Sequence, residues 1–382
     1  MNSLSNPKVT VIGAGAFGGW IALHLLRSGV KVTLLDAWGP GNSRASSGGD
    51  TRVIRGAYAG DQDYIEWVAR SFTLWKEAEQ QWQTKIYQRT GALWMHSVDD
   101  QHAQLSIDPL HKHGLEIQHW STADAAKRFP LLNFERIQSV YFEPEAGYLL
   151  ARRSCSLVLE SFVREGGNYQ QTFIRPGQIV NGTMKEVKAE EGTTIKSDLF
   201  VFACGPWLGR LFPDVIGSLI TPTRQEVYFF GTPQGDRRFN EEHMPVWLVF
   251  GKRFIYGIPG NDYRGFKVAD DTRGEPFDPT DDNRMPTQSL INIVRDELRI
   301  YMPALADAPL LEARVCQYEQ TPDSDLIIDR HPGATNVWIV GGGSGHGFKF
   351  GPALGEYVAQ MILEQQQAKE RFYLNRNSLM NR

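Results

Sequence analysis

Apolar positions along the chain switch repeatedly between strand-like runs and helix-like spacing. Residues 9–12 (VTVI) form a short apolar run that predicts a buried parallel strand. Residues 20–26 are apolar with helical character, Gly29 stops them, and residues 30–35 predict a second strand ending at Asp36. A polar, glycine-rich stretch, 37–60, reads as a loop. Over 64–82, Ile65, Val68, Phe72, Trp75, Ala78 and Trp82 recur at three- and four-residue steps, which predicts an amphipathic helix. A strand pattern begins at 91–95, a short helix at 123–129 ends before Pro130, and a helix at 154–165 ends at Gly166 and Gly167. Residues 195–205 read as one buried strand running into a Gly-Pro-Trp turn, and 221–260 as the alternating strands and turns of an antiparallel sheet. A charged, proline-containing connection (270–284) precedes a helix beginning at 290–298 and a strand at 313–318. The last buried strand, 337–340, enters a glycine-rich turn; a helix at 353–363 and a polar tail at 365–382 follow.

The first strand, turn and helix carry Gly13, Gly15 and Gly18 in the G-x-G-x-x-G spacing. Gly13 permits the tight turn, Gly15 lets a pyrophosphate approach the backbone, and Gly18 lets helix and strand pack closely. Ala16 and Phe17 open the helix, whose free N–H groups and positive dipole end face the phosphates. Asp36, followed by Ala37, stands where an acid takes the ribose hydroxyls and disfavours a 2′-phosphate. The motif implies a dinucleotide without choosing among NAD, NADP and FAD. Further strand-turn-helix units near 195–207 and 337–360 make this Rossmann-like domain discontinuous. The expected fold class is α/β (α+β overall). Residues 1–84, 145–218 and 318–382 make the dinucleotide domain, and 85–144 and 219–317 an inserted, mainly antiparallel β-sheet domain.

The 382 residues allow two or three domains and a large core. A formal net charge of −4 gives no basic footprint for nucleic acid. The glycines within 9–26 argue against a membrane span there, and MNSLSNPK has no apolar leader region. Cys155, Cys204 and Cys316 show no paired spacing, which fits a reducing, cytoplasmic setting and speaks against zinc or a disulfide framework. The 37–60 loop is long for a compact domain and carries Arg44, Arg52 and Arg55, which favours a functional role.

Four stretches together resemble the monomeric sarcosine oxidase and N-methyltryptophan oxidase family, within the D-amino-acid-oxidase group of FAD proteins. They are the glycine motif, SSGGDTRVIR at 46–55, ARVCQY at 313–318 and GSGHGFKF at 343–350. The resemblance implies a monomeric flavin enzyme that oxidises a small amine or amino acid and reduces O2 to hydrogen peroxide. It implies that Cys316 bonds the flavin 8α-methyl carbon. By residue type alone, Cys316 reads as a small buried strand cysteine. Lys267 aligns with the lysine held near flavin N5, where a fixed ammonium stabilises negative charge on oxygen; its bland reading is a solvated turn lysine. Arg55 and Lys349 align with the pair that binds the substrate carboxylate, which suits the planar fork of arginine. Arg52 is expected against the flavin; an ion pair with Asp50 is the alternative for these arginines. Ser47, Arg44, Gly343, Gly345, His346, Gly347, Phe348 and Lys349 complete the expected cofactor site, with His346 beside the flavin ring. Tyr256 and Tyr318 match pocket tyrosines, with core packing as the alternative.

Several positions depart from the family pattern. Gly48 replaces a histidine, Gly60 an acid, Asp271 a histidine and Trp247 a methionine. The glycines imply a wider entrance, and hence a bulkier amino acid or N-alkyl amino acid than sarcosine. Asp271 reads as a charge for a distal amine or as a surface residue, and Trp247 as a stacking or a filling group. A flavin amine dehydrogenase, or a biosynthetic oxidase of a larger amine, is the alternative reading.

Overall fold

The computed structural model describes residues 7–260 and 264–380, so residues 1–6 of the N-terminal segment and the end of the tail lie outside the described residues. Its organising sheet is built on Lys8–Ile12, which pairs in parallel with Lys31–Asp36 on one side and Leu199–Phe202 on the other. Val337–Gly341 and Asn168–Gln171 extend the sheet in parallel, and Ile327–Arg330 closes it antiparallel. Lys8–Ile12, Leu199–Phe202 and Val337–Gly341, in the middle of the sheet, are nearly continuous apolar runs because helices cover both faces, whereas the edge strand Asn168–Gln171 is polar. Ala16–Arg27 and Gly351–Leu363 pack so closely that a Cβ on Gly355 would meet Trp20 Cβ at 2.7 Å. Gln62–Trp82 starts at Asp61, whose side chain accepts the Tyr64 N–H, and its predicted stripe is buried in the same core except Ile65, which packs toward the eight-stranded sheet.

An eight-stranded sheet carries the other layer, in the order Leu310–Gln320, Thr221–Phe230, Phe266–Asp270, Phe254–Ile258, Val246–Phe250, Ala92–His96, Ser139–Glu143 and Gln118–Trp120. All neighbours are antiparallel except Val246–Phe250 with Ala92–His96. Period-2 alternation gives this sheet two unlike faces. One packs Tyr228, Phe230, Trp247, Phe266 and Val268 against Ile291, Val294 and Leu298 of the helix Gln288–Tyr301. The register sets Tyr256, Lys267, Cys316 and Tyr318 together on the opposite face.

Three segments differ from the sequence reading. Residues 195–205 are two strands in different sheets, Thr194–Lys196 and Leu199–Phe202, because Ser197 and Asp198 break the run. Within the expected loop, Thr51–Ile54 pairs antiparallel with Gly147–Leu150. The polar tail is strapped down: Arg376 is buried with its guanidinium forked onto Asp323, and Arg371 bridges Asp61, Asp63 and Asp325. No described helix is long and apolar enough to cross a membrane.

Candidate active site

The glycine turn forms one end of a long cavity. Gly13 has φ 105°, and a Cβ there would lie 2.3 Å from Ala203 O, so only glycine fits. Gly18 lies outside the cavity wall; a Cβ there would lie 1.8 Å from Gly13 O, so glycine lets the helix pack against the turn. Gly15 faces open space, with Ser47 Oγ the nearest atom to its would-be Cβ at 3.4 Å. The helix starts without a side-chain cap, leaving N–H groups for a ligand; Ser47 Oγ accepts only the Ala16 N–H, at 3.1 Å. Phe17, Asp36 and Ala37 line the cavity. Asp36 accepts N–H groups from Ala14 (2.7 Å), Trp38 (2.9 Å) and Gly39 (2.8 Å). Burial nonetheless holds its carboxyl above the ordinary range. Trp38 and Trp207 form an aromatic mouth beside it, 4.9 Å between ring centroids. Arg44 covers Trp38 and donates to Thr280 O, so it braces this mouth without lining the cavity.

At its other end the cavity is walled by Arg52, Tyr318, Gly343, Gly345, Gly347 and Phe348. Arg52 donates to Thr51 O at 2.9 Å, to Ser46 O at 2.6 Å and to Cys316 Sγ at 3.3 Å. Lys267 is only 2% exposed and donates to the same Thr51 O at 2.8 Å, which overturns the solvated-turn reading. Burial first, and the Arg52 guanidinium second, lower its pKa to about 7. Asp50 is not the partner of Arg52 or Arg55; it pairs with Arg264 at 2.7 Å.

A third group adjoins this end. The Arg55 guanidinium lies 4.7 Å from the Tyr58 ring and 5.0 Å from the Trp94 ring, and it pairs with no carboxylate among the described residues. Lys349 Nζ lies 5.1 Å from the same Tyr58 ring and donates to His346 O at 2.7 Å. Burial and Arg55 hold the Lys349 ammonium well below the usual lysine range. Asp271 turns inward, and its Oδ1 accepts a hydrogen bond from Tyr318 OH. Tyr256, 9% exposed, lies under Lys267, 5.9 Å from Nζ to ring centroid.

Two expectations, for Trp247 and Gly48, change. His346 lies between the cavity-lining Gly345 and Gly347, where Nδ1 meets Tyr58 OH at 3.1 Å and Nε2 meets Ser324 O at 3.0 Å, so it props the glycine turn. Burial drives its pKa to about 3, which keeps the ring neutral. Trp247 sits on the helix-covered face of the sheet, where it can neither stack on a ligand nor fill this pocket. Gly48 does not widen the entrance, because the Asn42 carbonyl would lie 1.9 Å from a Cβ there; Gly60 does face open space. Cys316 adjoins the cavity through Arg52, which lines it and donates to Sγ at 3.3 Å. The sequence reading also missed Tyr58, Trp94 and Glu319. Glu319 lines the cavity with Oε2 unpartnered among the described residues, and burial lifts its pKa to about 7. A carboxylate directly after the pocket tyrosine Tyr318, at the end of the predicted strand, was the available signal for it.

A glycine-cradled cavity that ends on a face bearing cations, tyrosines and a cysteine defines a dinucleotide-dependent redox enzyme. The chain belongs to the FAD dependent oxidoreductase family (DAO), which it matches over residues 8–361. It is 30% identical to the monomeric sarcosine oxidase of Bacillus sp. (strain NS-129), covering 97% of each chain. It is 26% identical to N-methyl-L-tryptophan oxidase of Yersinia pestis (strain Pestoides F), covering 91% of this chain and 93% of that one. Among solved structures, L-proline dehydrogenase from P. horikoshii has a TM-score of 0.85 at 22% identity and 97% coverage of both chains. The fructosamine oxidase Amadoriase II from Aspergillus fumigatus has a TM-score of 0.83 at 20% identity, covering 100% of this chain and 92% of that one. These two share the fold. FAD suits the cavity: Gly13, Gly15 and the uncapped helix start fit a pyrophosphate, and the long wall from Asp36 to Tyr318 fits an extended dinucleotide.

Proposed function

We propose that this chain is a monomeric, cytoplasmic oxidase of secondary amino acids bulkier than sarcosine, which carries FAD on Cys316 and passes electrons to O2. FAD-dependent oxidation of a secondary amine is the core of this reading. Bound FAD supplies a two-electron acceptor for the hydrogen on the carbon next to nitrogen. The protein's own groups do the rest. Gly13, Gly15, Ala16, Ser47 and Asp36 hold the pyrophosphate and ribose, and Trp38 and Trp207 flank the base. With FAD bound, the turn from Gly343 to Phe348 and the helix behind it would offer N–H groups to stabilise negative charge on the flavin. Arg55 and Lys349 take the substrate carboxylate, and their charge favours release of the amine proton. Lys267 holds an ammonium where charge develops on oxygen. Residues 1–84, 145–218 and 318–382 form the FAD domain, and 85–144 and 219–317 the substrate domain.

The observation that carries this reading is the shared Thr51 carbonyl. Arg52 and Lys267 both donate to it, and Arg52 also holds Cys316 Sγ. Arg52, from the neighbouring small sheet, thus joins Lys267 and a positioned sulfur on one face of the eight-stranded sheet, beside the end of the dinucleotide cavity. A sulfur so held is suited to a thioether bond with the electron-poor 8α-methyl carbon. Acid precipitation of the purified protein tests the attachment. Yellow colour should stay in the pellet, and should pass to the supernatant in Cys316→Ala. A colourless pellet from the unmodified protein would rule the bond out.

A further inference from the structure

We propose that Asp271 is the proton acceptor for the substrate amine, so that the enzyme binds its amino acid as a zwitterion and deprotonates it in the pocket. This rests on the amine-oxidising reading above. Asp271 directly follows the strand Phe266–Asp270 and keeps the parity of Lys267 and Ala269, the residues that face the site. Its N–H donates to Phe254 O at 2.7 Å, which extends the strand pairing by one residue. Its Oδ1 accepts from Tyr318 OH, and Tyr318 lines the cofactor cavity. The adjacent Asp270 is spent elsewhere, paired to Arg253 at 2.5 Å.

The charges around Asp271 form a template for a zwitterion. Arg55 and Lys349 lie within electrostatic reach and have the opposite sign. A substrate carboxylate on that pair leaves Asp271 as the anion available to the ammonium. The other titratable neighbours are Tyr58, Tyr256 and Tyr318, and burial holds all three hydroxyls above the ordinary tyrosine range. Asp270, the remaining carboxylate, raises the proton affinity of Asp271 slightly. Burial is the larger cause and lifts the Asp271 carboxyl to about 6; Tyr318 and Arg55 oppose it. Asp271 is therefore ionised at neutral pH, yet basic enough to compete for a proton. In the step, the N–H bond of the ammonium breaks and an O–H bond forms on Asp271. The amine becomes neutral, the carboxylate becomes a carboxylic acid, and no electrons are exchanged. The proton leaves later to water.

Asp271→Asn tests this, because the amide oxygen keeps the Tyr318 hydrogen bond and the volume while the charge is lost. Two measurements on the flavin-loaded proteins suffice. The first is the pH dependence of anaerobic flavin reduction by N-methyl amino acids. Its rising limb should move up by about one unit or more, toward the ionisation of the free amine, with roughly a tenfold loss at neutral pH. The second is the affinity of an amine-free carboxylate, pyrrole-2-carboxylate. It should tighten about fivefold in the variant, because a buried like charge is gone. Superimposable pH profiles and an unchanged anion affinity would overturn the proposal. If no amine reduces the flavin of the unmodified protein, the amine-oxidising reading fails instead. The anion affinity still reports whether Asp271 carries charge into the pocket. A uniformly lower rate with an unmoved pH profile would mark Asp271 as a positioning residue and overturn the proton transfer.

Discussion

Replacing Lys267 with methionine should slow reoxidation by O2 about 10²–10³-fold while leaving anaerobic flavin reduction within about twofold, since one preorganised charge is commonly worth that much. The lysine is buried, fixed on Thr51 O and backed by Arg52, so its charge is aimed and not solvated. The account also fixes a pH trend. The protonated form is the useful one, and its pKa lies near about 7, so reoxidation should slow as pH rises above that value. That slope should vanish in the variant. A stability control follows from the same lowered pKa. The unfolded lysine holds its proton to about 10.5, whereas the folded one loses it near about 7, so burial costs stability as pH falls through that window. Methionine removes this cost, and the melting temperature at pH 7 should not fall. Stopped-flow mixing of reduced protein with O2 checks the rate. An unchanged oxygen step would remove Lys267 from the mechanism and favour a dehydrogenase with another acceptor.

Arg55→Ala should raise the dissociation constant of amino-acid substrates about 30-fold or more, because truncating one partner of a buried charge pair costs about 2–5 kcal/mol. The guanidinium lies against Tyr58 and Trp94 and has no carboxylate partner among the described residues, so it stands ready for an incoming one. Amines that lack a carboxylate should bind both proteins alike. The lost ring contacts are worth only about 0.5–2 kcal/mol of stability, so the fold should survive. Equal loss of affinity for both ligand types would mean that the arginine supports the pocket wall and not the carboxylate. Anaerobic titrations followed by flavin absorbance separate the two outcomes.

Much of the cofactor end was legible because local chemistry dictates it. Gly13, Gly15 and Asp36 act through backbone conformation and short-range spacing, which a sequence displays directly. The amphipathic stripe of residues 64–82 and the apolar strand runs were legible for the same reason. The substrate end was legible mainly through resemblance. Tyr256, Lys267, Cys316 and Tyr318 share a face only through strand register across three pairings, and no periodicity in one strand reveals that. Register also explains the misjudged Trp247, since the parity of its strand sends it to the helix-covered face. Gly48 misled because an absent side chain reads as space, whereas the Asn42 carbonyl fills it. The strapped tail was hidden because its partners Asp61, Asp63, Asp323 and Asp325 lie far away in sequence. Polar composition there marks long-range ion pairs as well as it marks a solvated end.

The most direct test of the account is an anaerobic titration of the purified, flavin-loaded protein with a series of N-methyl amino acids of increasing side-chain size. The account predicts that the visible flavin absorbance bleaches, with an imine or its carbonyl hydrolysis product formed in proportion. The bulkier members should act at lower concentration than sarcosine, and admission of air should restore the colour with release of hydrogen peroxide. A flavin that stays oxidised with every secondary amine tried would contradict the assignment.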